Sequence, residues 1–177
     1  MQPQAVFGQE ELRLLAEGLN VAEDSVSDYF RLSEGFWCRH PFEVRTLAEL
    51  APTEVAPEAL AQVLRLRQAD SRRLRNRDFW RICFQDHNFL EAMEGQSEQE
   101  LFLPMLTYVM VHELVHVVRF ATYVQLFELD QQRRQAEEAK VHRLSAEVLK
   151  KVRLPHLERV LDCYENFAAT LSPEGHC

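Results

Sequence analysis

The stretch VMVHELVHVVRF, Val109–Phe120, sets two histidines and a glutamate inside one of the most apolar runs of the chain. On a helix, His112 and His116 stand four residues apart and project from one face, one turn above the other. Glu113 points about 100° away round the same helix, beside that face. Val109, Met110, Val111, Leu114, Val115, Val117 and Val118 surround the three polar residues, which predicts a buried helix. Unpaired polar groups in such a place cost about 1–3 kcal/mol each. A cation gripped by both imidazoles removes that cost.

Working outward, the same apolar pattern predicts one long helix from about Gln99 to Asp130, with Pro104 tolerated only near its start. The run does not read as a membrane span, because His112, Glu113, His116 and Arg119 interrupt it near the middle. A polar turn from Gly95 to Glu98 precedes it, and before that RDFWRICFQDHNFL (77–90) alternates Trp80, Ile82 and Phe84 with polar or small residues, as a strand does. Phe42, Val44 and Thr46 alternate in the same way, and the two strands are expected to pair. Helices are expected from Glu10 to Gly18, from Asp24 to Leu32 with Asp24 or Ser25 as cap, and along PEALAQVLRLRQ (57–68), where proline suits a first turn. Downstream, the polar bend ELDQQRRQ (128–135) leads into a helix over Arg134–Val152, and Pro155 separates it from an amphipathic helix in PHLERVLDCYENFAATL (155–171). The fold class is therefore α+β, mostly helical, with a small antiparallel sheet.

Length and charge narrow the function classes. With 177 residues, no repeat and no linker rich in Gly, Ser or Pro, the chain reads as a single domain, 1–177. A net charge of −8 argues against a generic binder of nucleic acid or acidic membrane. The seven arginines between Arg65 and Arg81 are the exception, read as a solvated face or a patch for an acidic partner. MQPQAVFGQEELRLL (1–15) lacks the basic start and apolar core of an export signal, so a cytoplasmic setting is expected. Cys38, Cys83, Cys163 and Cys177 are scattered without a CxxC pair and read as reduced thiols. Cys83, Asp86 and His87 read as a strand end and turn; His40, His156 and His176 carry no spatial argument.

Two histidines do not complete a tetrahedral site, and AEEAKVH (136–142) supplies the next acidic and imidazole groups. Glu138 and His142 are four apart and share a helix edge, whereas Glu137 lies about 140° from His142. Glu138 is the preferred third ligand, with Glu137 as the alternative, and His142 is either a fourth ligand or a group that orients one of the first histidines. The intervening Glu113 makes the pattern HExxH, in which two helical histidines bind zinc and the glutamate is general base.

His112-Glu113-Leu114-Val115-His116, followed by a glutamate on the next helix, resembles the zincin superfamily of metallopeptidases, and more narrowly its gluzincin branch. The resemblance covers about Leu101 to Val152 and suggests a small bacterial-type member. It implies a zincin-like helical core and one zinc ion per chain on His112, His116 and Glu138, with Glu113 activating water. His142 would occupy a place where the branch often has Asp. It also implies a peptide or protein substrate laid along an edge strand, for which WRICFQDHNF (80–89) is the expected segment. Tyr108, Tyr123, His142 and His87 are candidate donors to the oxyanion of the attacked carbonyl.

Two other classes remain at this stage. One is a non-catalytic metal-binding or interaction protein on the same scaffold, closed by four protein ligands. The other is a di-metal carboxylate bundle, since Glu113 and His116 also form Glu-x-x-His, although no second such pair follows. The donor set also accepts nickel, cobalt or iron.

Overall fold

The computed structural model describes residues 5–68, 77–94, 98–122 and 130–171. Its spine is helix α4, Glu98–Ala121, whose interior side chains Leu106, Met110, Val111, Leu114 and Val115 are fully buried. Burial of each such side chain is worth roughly 1.5–3 kcal/mol, so this helix carries a large share of the core. By length and composition it could cross a bilayer, but 78% of its most apolar window is buried inside the protein itself. Its hydrophobicity is thus accounted for by the core it builds. The helix ends at Ala121 with Thr122 in a turn, short of the expected Asp130; residues 123–129, Tyr123 among them, lie outside the described residues, as do 95–97 of the expected polar turn.

Helix α1 spans Gln9–Phe30 without interruption, where two helices separated near Gly18 were expected. Gly18 is not a stop signal. A side chain there would bring its Cβ within 3.2 Å of the Thr107 nitrogen and 3.4 Å of the Leu106 Cβ, so the glycine lets α1 lie close against α4. Asp24 and Ser25 are interior residues, and Ser25 bonds back to the Val21 carbonyl at 2.6 Å. The helix stops instead at Arg31, which takes a left-handed conformation (φ 50°), with the Leu32 N–H returning to Ser27 O. A short helix α2, Phe36–Arg39, follows.

Three strands form a mixed sheet in the order β1-β3-β2. The expected pairing near Val44 is present: β1 (Phe42–Arg45) runs parallel to β3 (Arg77–Phe84), with Val44 opposite Ile82. The antiparallel partner is β2, Ala61–Gln68, where a helix was expected after Pro57. Here Leu64 and Leu66 alternate with exposed Arg65 and Arg67, and the ladder to β3 outweighs the helical preference of Ala, Leu, Gln and Arg. β3 is consequently the central strand, with Trp80, Ile82, Cys83 and Phe84 buried, and β2 is an edge. Of the seven arginines between Arg65 and Arg81, Arg72, Arg73 and Arg75 lie outside the described residues; Arg65 pairs with Asp78, and Arg81 with Glu43 and Glu54.

After β3 the chain turns directly into helix α3, Asp86–Met93. Asp86 is a buried fastener: its carboxylate accepts from Phe7 N at 2.9 Å and Leu47 N at 3.0 Å, tying two distant segments to the sheet. Burial pushes the Cys83 thiol up to about 11, which makes it unreactive at neutral pH. Helix α5 spans Gln131–Leu149, capped by Asp130 accepting from Arg133 N, and α6 spans Leu157–Leu171. Both pack on α4 through Val141, Val148, Leu149, Leu157 and Val160.

Gly18→Val is expected to destabilise the protein by about 1–3 kcal/mol in urea unfolding, because the α1–α4 contact has no room for the added methyls. Unchanged stability would show that the two helices do not meet there.

Candidate metal centre

Tyr108, His112, His116 and Phe120 recur every four residues and form one stripe of α4. Glu138 and His142 lie four apart on α5. Packing of α5 on α4 brings the two stripes together. The His112 and His116 Nε2 atoms are 3.2 Å apart. Glu138 straddles them, with Oε2 3.2 Å from His112 Nε2 and Oε1 3.2 Å from His116 Nε2. Among the described residues, these three form the one group of His, Cys, Asp and Glu side chains spaced to hold a metal ion.

The spacing fits a cation. Tetrahedral bonds of about 2.0–2.1 Å to nitrogen and oxygen set neighbouring donor atoms about 3.3 Å apart. Two imidazoles and a carboxylate are also the donor set of a three-ligand zinc site. Burial pushes His112 toward its neutral form, the form that coordinates, while the Glu138 hydrogen bond opposes the shift. For Glu138, burial resists ionisation, but hydrogen bonds to His112 and His116 outweigh it and hold the carboxyl well below the usual range. His112 Nδ1 is buried with no hydrogen-bond partner among the described residues.

The adjacent glutamates separate cleanly. Glu138 faces the histidines, whereas Glu137 pairs with the buried Arg119 of α4. Glu113 is buried at the edge of the same site, and desolvation pushes its carboxyl up to about 7. It belongs to no ion-holding group among the described residues, which leaves the di-metal reading without a second site.

His142 stands beside the triad. Its ring centroid lies 4.4 Å from that of His112, yet its Nδ1 is hydrogen-bonded to the Tyr108 hydroxyl at 2.7 Å. Burial first, then the neighbouring His112, pushes His142 down to about 4. Tyr108 stacks on Tyr164 of α6 with centroids 4.0 Å apart, and burial keeps both phenols protonated far above neutral pH. Nothing in the sequence singled out Tyr164, which reads only as one apolar position of an amphipathic helix. Tyr108 was among the candidate oxyanion donors named from the sequence, and its hydroxyl is engaged with His142 Nδ1.

All five site residues named from the sequence, His112, Glu113, His116, Glu138 and His142, border one cavity of about 920 Å³. Leu60–Leu64 of and beside β2 also line it, with Met105, Val109 and Val160. The strand beside the site is therefore β2; WRICFQDHNF lies in the central β3 and in α3, where a ladder on each side leaves no edge for a substrate. His87 sits in the first turn of α3 and does not border the cavity.

In metal-free protein, folded Glu113 keeps its proton up to about pH 7, whereas its ordinary value is 4.5. The folded state then binds more protons between those values, so stability falls as pH rises through that window. Urea unfolding with chelator at pH 4 and pH 8 is expected to show wild type losing more stability than Glu113→Gln, by at most about 3 kcal/mol. Equal losses would show that Glu113 ionises without penalty. No protein-family model, curated protein or solved structure matches this chain.

Proposed function

We propose that this protein is a zinc-dependent hydrolase of peptide bonds, with Glu113 as general base. The observation that carries the reading is the convergence of His112 Nε2, His116 Nε2 and Glu138 at 3.2 Å, beside a buried carboxylate on a shared cavity. A zinc ion on three protein ligands supplies a Lewis acid and brings the pKa of a water toward neutrality. Glu113, buried at the edge of the site and bordering the same cavity, takes a proton from water as it attacks the carbonyl and returns it to the leaving amine. β2 borders the cavity as an edge strand, and its open ladder suits an extended peptide. The zincin likeness assigns such a strand to substrate alignment. The four cysteines are scattered in the sequence without a CxxC pair, a pattern that accords with a reducing compartment, and we infer a cytoplasmic setting.

One observation favours a second reading, a non-catalytic metal-binding or interaction protein on the same scaffold. The His142 ring is closer to His112 than His116 is, at 4.4 Å against 4.8 Å between centroids, and a fourth ligand would close the site.

Elemental analysis of wild type is expected to give one zinc per chain, lost in His116→Ala and in Glu138→Ala. Glu113→Gln is expected to retain zinc while hydrolysis of a peptide library falls by about 10²-fold or more. Full activity in Glu113→Gln would remove the general base, and zinc-loaded wild type inert toward all peptides would favour the second reading.

A further inference from the structure

We propose that Tyr108 is a latch that holds His142 away from an ion on His112, His116 and Glu138, keeping the fourth coordination position open. The inference rests on the metal-hydrolase reading and extends it to how the site avoids closure. By position alone His142 is the obvious fourth ligand: it follows Glu138 by one helical turn, and its ring lies 4.4 Å from that of His112. It nevertheless falls outside the group whose donor atoms lie within 4.8 Å of one another.

The reason is a hydrogen bond. The Tyr108 hydroxyl and His142 Nδ1 are 2.7 Å apart. Tyr108 is almost fully buried, and a buried hydroxyl proton needs an acceptor, which Nδ1 supplies. A neutral imidazole has one lone pair in its plane and one N–H. With the phenol donating to Nδ1, that lone pair is engaged and the proton stands on Nε2, which leaves neither nitrogen free to coordinate.

The latch is rigid because Tyr108 is itself clamped. Its side chain is almost fully buried, stacked on Tyr164 at 4.0 Å, while the Tyr164 hydroxyl reaches Met105 Sδ at 3.7 Å. His142 lies nearly parallel to both rings, 15° from Tyr108 and 23° from Tyr164. Tyr108 also precedes His112 by one turn of α4, so latch and ligand share one backbone frame. Packing of α6 thereby bears on the coordination number of the site through Tyr164.

The test counts imidazoles around bound zinc by X-ray absorption and measures zinc affinity by chelator competition. Wild type is expected to show two imidazoles. Tyr108→Phe, which keeps the stacked ring and loses only the hydroxyl, is expected to show three and to bind zinc roughly tenfold more tightly. The double variant Tyr108→Phe/His142→Asn should return to two imidazoles and wild-type affinity. His142→Asn alone should leave the count and affinity of wild type unchanged. Three imidazoles in wild type, or two in Tyr108→Phe with unaltered affinity, would overturn the latch while leaving the zinc site standing. Wild type that binds no zinc would overturn the hydrolase reading and the latch with it.

Discussion

Three side chains from two helices crowd together, two imidazole nitrogens 3.2 Å apart and each 3.2 Å from one oxygen of the Glu138 carboxylate, on a helix whose other faces are buried in the core. Such crowding is tolerable only where a hydrogen-bonded carboxylate or a cation binds the imidazoles together, and much of the surrounding packing holds the three groups in place. α4 supplies the histidines at a fixed spacing, and its apolar faces anchor it between α1, the sheet, α5 and α6. The close approach at Gly18 belongs to the same requirement, since it seats α1 directly on the helix that carries the site.

The placement of Glu138 depends on its neighbour. Arg119 lies three residues past His116, is buried, and pairs with Glu137. Breaking a buried ion pair by removing one partner costs about 3–5 kcal/mol, so the pair strongly disfavours any rotation of α5 that would exchange the two glutamates. Arg119 Nε has no hydrogen-bond partner among the described residues, an uncompensated polar atom within that arrangement. The pair thus sorts two chemically identical side chains, one against Arg119 and one against the two histidines.

The sheet contributes shape. β3 is buried with a ladder on each side, which leaves β2 as the strand that lines the cavity. The lining mixes aliphatic side chains such as Leu60, Val63 and Leu64 with a few imidazoles and carboxylates. Such a mixture is usual for a binding cleft that fixes its ligand with few polar groups.

Much of this was open in the amino-acid sequence. The four-residue spacing from His112 to His116, and again from Glu138 to His142, fixes which side chains share a helix face whatever the fold, because helical geometry is local. The strand at Trp80–Phe84 and the helices at the end of the chain were legible because alternation and amphipathic periodicity are local as well. Other features were decided only by tertiary structure. β2 carries residues that favour a helix, and pairing with a strand distant in sequence overrides that preference. Gly18 looks like a helix end until α4 is seen lying against it. The choice between Glu137 and Glu138 turns on Arg119, and the posture of His142 turns on a hydroxyl 34 residues earlier in the chain. Periodicity determines what shares a face; what that face meets depends on packing between segments far apart in sequence, which no local pattern encodes.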